Sequence, residues 1–129
     1  MKKIFSLFLI VALIFGLSAT AFAADFVDTI EVPQSEAIDV IETLGIVEGF
    51  GEEIYGPHDV LTRAQLCTML TRALYGAPVY TSAVEFEDVD PMHWAHAYIN
   101  TAYVYGLMIG YGYGKFGPED EITYTQMAA

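Results

Sequence analysis

Four constellations in this sequence carry residue types that do chemistry at short spacing. His93 and His96 stand three apart on one predicted helix, the spacing of a metal pair, but no further His or Cys completes a zinc set. Asp88-Val89-Asp90 lacks the glycine and the terminal Glu of a calcium loop at the required offsets. The glycine run from Gly110 to Gly114 lacks the strand context and spacing of a phosphate loop. No Ser or Cys has an evident base, so neither catalysis nor a cofactor or metal is expected. The fourth is Thr62-Arg63-Ala64-Gln65. A guanidinium in the first turn of a helix can grip a carboxylate through two parallel hydrogen bonds, beside backbone amides expected to be free for an anion.

The elements that would position Arg63 occur twice. With an offset of 61 residues, Ala37–Thr68 lies over Tyr98–Ala129 without a gap, and nine of the 32 positions are identical. Eight of the nine are Gly, Pro, Asp, Thr or Gln, among them Gly45/Gly106, Pro57/Pro118 and Thr62/Thr123, types that set turns and helix ends. The match therefore reports a shared backbone path. Each copy reads as helix, loop, helix. In the first, Ser35 is expected as N-cap, with Ala37, Val40, Ile41 and Leu44 as the inward stripe and Gly45 as the left-handed end. The loops Gly49–Pro57 and Gly110–Pro118 follow. Thr62 and Gln65 have the spacing of a capping box opening a helix over Arg63–Tyr75, with Leu66, Met69, Leu70, Ala73 and Leu74 facing inward. Cys67, the single cysteine, falls in that apolar pattern and reads as a small buried hydrophobe.

Thr123 and Gln126 repeat the cap, yet the sequence stops at Ala129. So short a helix start cannot hold itself together. The sequence is expected to be the front of a longer protein, and alone to be poorly stable or oligomeric, with self-association among its expected partnerships.

Composition sets the surroundings. Eighteen of the first 24 residues are apolar, behind Lys2 and Lys3, and Ala21-Phe22-Ala23 matches the A-x-A cleavage pattern. A signal peptide is expected over 1–23, in preference to an uncleaved anchor, and no membrane association after cleavage. Without it three strong bases, Arg63, Arg72 and Lys115, face all 17 acids, a formal charge of −14 against −12 for the whole chain. Nucleic acid is excluded as a partner, because such a binder must displace counterions with Lys and Arg.

The ordered motifs resemble S-layer homology (SLH) repeats. Phe86-Glu87-Asp88-Val89, His93-Trp94-Ala95, Gly106–Tyr111, Lys115-Phe116-Gly117-Pro118 and Ile122-Thr123 carry the resemblance in the second copy. Gly45–Phe50, Ile54–Pro57 and Leu61–Gln65 carry it in the first, with Phe26-Val27-Asp28 as a worn start. The resemblance divides the chain into a first repeat over 24–76, a linker over 77–85 and a second repeat over 86–129. It implies an all-α fold of helix-loop-helix repeats, part of a pseudo-threefold helical bundle. It also implies an exported, non-catalytic module that binds secondary cell-wall polysaccharide, often pyruvylated, in grooves between repeats and so anchors proteins at the cell surface. The alternatives are the N-terminal targeting part of a longer surface enzyme, or a structural array protein.

Carried over, the groove arginine is Arg63. Thr62 and Gln65 stand beside it, more as caps than as contacts. Trp94 is expected to line a groove or to belong to the core. Tyr124 occupies the arginine position of the second copy, where a phenol could stack on a sugar or donate its hydroxyl but cannot neutralise a carboxylate. Lys115 would be a solvated loop lysine.

Overall fold

The computed structural model describes residues 26–51 and 53–127; the expected signal segment lies outside them. The described residues form four helices, α1 (Ser35–Thr43), α2 (Arg63–Tyr75), α3 (His96–Val104) and α4 (Tyr124–Met127), with no strands longer than isolated bridges. Helix and loop alternate as the two copies require. Gly45 and Gly106 both end their helices at φ 69°.

The capping box at Thr62 forms in full: the Thr62 amide donates to Gln65 Oε1 at 2.8 Å, and the Gln65 amide to Thr62 Oγ1 at 3.2 Å. Thr123 and Gln126 repeat it at 2.9 and 3.3 Å. Ser35 is not the cap of α1. That position falls to Gln34, with no side-chain bond, and Ser35 is the first helical residue.

The core lies where α2 packs on α3, around Ala64, Leu66, Cys67, Ala95, Ile99, Ala102, Met108 and Phe116. This packing turns α2 away from the expected face. Thr68 and Thr71 are buried whereas Leu74 is 60% exposed, because α3 approaches the Ala64–Cys67–Thr71 side. On α1 only Ile38 is buried, and Val40 and Leu44 of the expected stripe face outward. Cys67 is fully buried with Sγ 3.3 Å from Met108 Sδ, and burial pushes its thiol up to about 12.

The segment between the copies is fastened. The amides of Val79 and Tyr80 both donate to Thr101 Oγ1 at 3.0 Å, and that of Val84 to Asn100 Oδ1 at 2.7 Å. Thr101 and Asn100 are wholly buried; Thr101 Oγ1 and Asn100 Oδ1 take their partners from this crossing chain, while Asn100 Nδ2 donates to His96 O at 3.0 Å.

Each loop is held by one aspartate near the start of its repeat. Asp28 accepts the amides of Tyr55 and Gly56 at 2.9 and 2.7 Å; Asp88 accepts those of Phe116 and Gly117, both at 2.9 Å. These amide bonds, led by that of Tyr55, hold the Asp28 carboxyl below its ordinary range. At Asp88 partial burial pushes upward, but the amides of Phe116 and Gly117 prevail and the carboxyl again sits low. Gly49 and Gly110 allow the close approach this needs. A Cβ on either would meet a backbone carbonyl, Ile54 O or Lys115 O, and the ring of Phe26 or Phe86.

Candidate functional site

Two clefts flank the junction of the repeats. The first, about 440 Å³, runs between α2 and the loop of the first copy, and Glu48, Phe50, Asp59, Gln65, Arg72 and Trp94 are among its walls. The second, about 450 Å³, has Arg63, Leu66, Tyr111, Ile122 and Gln126 around it.

Arg63 is 5% exposed and faces the second copy. Its Nε donates to Phe116 O at 2.9 Å and its Nη2 to Ile109 O at 2.6 Å. The guanidinium carbon lies 4.4 Å from the Tyr111 ring centre and 4.7 Å from that of Phe116. The cation is thus sandwiched between aromatic faces and bound to two main-chain carbonyls, a charge-assisted arrangement that clamps the second loop to α2. Nor are the helix-start amides beside it free. Arg63 N–H donates to Asp120 O and Ala64 N–H to Pro118 O, both at 2.9 Å, and Ile122 N–H returns a bond to Leu61 O at 2.8 Å. The expectation of open amides for an anion is corrected: the second repeat consumes them.

The structure brings Gln65 and Trp94 together on the first cleft, apart from Arg63. Trp94 is 58% exposed, which resolves its two readings against the core. Thr62 spends its side chain on the capping box. The side chain of Tyr124 lies outside the described residues. Lys115 is half-exposed, with its ammonium 3.6 Å from Glu87.

Arg72 is the cleft residue that sequence reasoning missed. Its side chain is 16% exposed; Nη2 lies 2.9 Å from Glu48 Oε1 and Nε 3.4 Å from the Tyr98 hydroxyl. Tyr98 also stands under the guanidinium, 5.4 Å from ring centre to Cζ. Glu48 is 74% exposed and holds Arg72 through a single contact, so a competing carboxylate can replace it at little cost. The available signal was scarcity, since Arg72 is one of only three strong bases after the leader.

His93 bridges the second copy's entry to its loop. Nε2 meets Glu119 Oε1 at 2.8 Å while Nδ1 accepts the Ala95 amide at 3.1 Å. Both ring nitrogens are thereby engaged, and no cluster of three metal-ligating side chains exists among the described residues. None of their helices is long and apolar enough to cross a membrane.

Comparison with known proteins agrees with the repeat geometry. The family model of the S-layer homology domain matches residues 25–67 and 85–128. A cell surface protein of Thermoanaerobacter kivui is 35% identical over 136 residues, covering 100% of this chain and 18% of the relative. A middle cell wall protein of Brevibacillus brevis is 29% identical over 134 residues, covering 98% of this chain and 13% of the relative. An endoglucanase of Bacillus sp. (strain KSM-635) is 36% identical over 84 residues, 65% of this chain and 9% of the enzyme. The chain thus spans less than a fifth of the length of these curated relatives. No solved structure matches it. Two matched repeats covering most of the sequence, each with its capping box, aspartate clamp and glycine-ended helix in place, make this chain a member of the S-layer homology domain family.

Proposed function

We propose that this chain is the non-catalytic anchoring part of an exported protein and holds it at the cell surface by binding secondary cell-wall polysaccharide. The supporting observation is the first cleft, which sets a half-exposed indole, an amide side chain and a replaceable arginine pair on one concave wall. Trp94 offers a face to a sugar ring. Gln65 and Asp59 face its hydroxyls. Arg72 takes a carboxylate such as a pyruvyl ketal, which displaces Glu48 and is gripped by two N–H groups. Arg63 contributes mainly by fixing the second loop. Its two carbonyl bonds leave three of five N–H donors beside the second cleft, which Arg63 lines.

The acidity of the chain makes long-range attraction to a carboxylated polymer impossible and opposes its approach at low salt, so recognition is local. The test is retention of the chain on purified wall polysaccharide. Arg72→Gln should lower retention by about tenfold with the fold unchanged, the effect of losing one charge-assisted contact of about 1.5 kcal/mol. Equal retention by this variant would remove Arg72 from the site.

A second reading, that the chain is the targeting part of a longer surface enzyme, is favoured by the endoglucanase and by a xylanase of Thermoanaerobacterium saccharolyticum, where the match covers 8% of the enzyme. Sequencing beyond Ala129 decides between them.

A further inference from the structure

The loop of the second repeat ends in a hairpin whose tip is Tyr113. The tip is well fixed: the Tyr111 amide donates to Lys115 O at 2.8 Å, that of Lys115 to Gly112 O at 3.0 Å, and that of Glu87 to Gly114 O at 2.8 Å. Within it Gly112, Tyr113 and Gly114 all have positive φ, at 88°, 51° and 73°. Tyr113 is the one non-glycine residue in this region among the described residues. Such a turn favours Asn, Asp or Gly, and a tyrosine there carries the left-handed steric penalty without relief. It gains no packing in return, for it is 99% exposed. The first copy has Glu52 at the corresponding position, so the repeat does not require an aromatic ring there.

A strained, fully exposed ring on a rigid tip contributes nothing to the fold, and the geometry points to Tyr113 as a ligand-contact residue that stacks on the face of an uncharged pyranose. The assignment rests on the polysaccharide reading above and adds a residue outside both clefts. Tyr111, two residues back in the same hairpin, is half-exposed and lines the second cleft. The lone cation of the tip, Lys115, stands 3.6 Å from Glu87, so the two together carry no net charge there. The chain as a whole is strongly acidic and repels anionic surfaces. Contact between a phenol face and the C–H face of a neutral sugar needs no charge and suits such a surface.

The experiment measures binding of the full chain to purified wall polysaccharide, with thermal melting alongside. Tyr113→Asn should weaken binding about tenfold while leaving the melting temperature equal or higher, because Asn tolerates the turn. Tyr113→Phe should bind as the parent does, since the ring face and not the hydroxyl makes the contact. Unchanged binding by Tyr113→Asn, or a lowered melting temperature, overturns the assignment while the anchoring function stands. If the parent chain itself does not bind the polysaccharide, the anchoring function fails. Tyr113 is then judged on the shift of its ring proton resonances with a neutral chitooligosaccharide: a shift keeps the assignment and no shift ends it. Sedimentation with phosphatidylcholine vesicles that depends on Tyr113 would also overturn it, in favour of a lipid contact.

Discussion

The loops of the two repeats share their clamps and closing bonds and differ in what they meet. Both are clamped by an aspartate, both close a turn with the same amide-to-carbonyl bond (Phe50 to Ile54, Tyr111 to Lys115), and both end in a glycine of nearly equal φ, 75° at Gly56 and 71° at Gly117. In the second, the carbonyls of Ile109 and Phe116 hold the Arg63 guanidinium between two rings. In the first, the matching residues Glu48 and Tyr55 border an open cleft, and Phe50, the counterpart of Tyr111, is 57% exposed. Duplication has supplied two equal cradles, one filled from within the molecule and one left accessible. Under the function proposed above, structural and binding roles fall to two arginines of one helix.

The sharpest way to break this comparison is to exchange the consequences of losing each arginine. Arg63→Leu should cost about 3 kcal/mol in urea unfolding, since two charge-assisted bonds are lost and the buried carbonyl of Phe116 is left without its partner. Arg72→Gln should change stability by less than about 1 kcal/mol, as its partner Glu48 is largely in water. If Arg72 proves the costlier loss, the division of labour collapses.

The aspartate clamps give the next effect. Asp88→Asn should lower stability by about 1–2 kcal/mol through weaker acceptance of two loop amides, and Asp28→Asn by less. Both carboxyls lie below their unfolded values, so their contribution is present above the ordinary carboxylate pKa of about 4 and disappears as the pH falls through the lower folded values. A melting temperature flat from neutrality to about pH 5 and declining below it is the expected profile; insensitivity of the Asn variants to the same titration would identify the groups.

The smallest effect concerns Glu48. Glu48→Gln removes the competitor for Arg72 and should raise retention on an acidic polysaccharide by a few-fold at unchanged stability. A decrease would mean that Glu48 itself contacts the polymer.

Local rules made the repeat, its capping boxes and its glycine ends readable in the sequence, because each depends on residues within a few positions of one another. The inward face of α2 was not, since Thr71 is buried and Leu74 exposed by the direction from which α3 arrives. The site divides in the same way. Trp94 and Gln65, which line the first cleft, stand in motifs that the sequence displays. Arg63 was named for a ligand, yet its nearest partners, Ile109 and Phe116, come from a distant loop that no spacing around Arg63 reveals. Arg72 escaped notice because Glu48 and Tyr98, which define its setting, belong to different copies.

The bonds that join Leu61, Arg63 and Ala64 to Ile122, Asp120 and Pro118 also decide how the protein meets force. An anchor of the kind proposed above works under tension. A pull on the chain at residue 127 travels back through Ile122 and reaches Leu61 directly, without first passing along the second repeat. The two repeats are therefore loaded side by side, and rupture must break the Arg63 clamp and this short ladder together rather than peel one repeat away before the other.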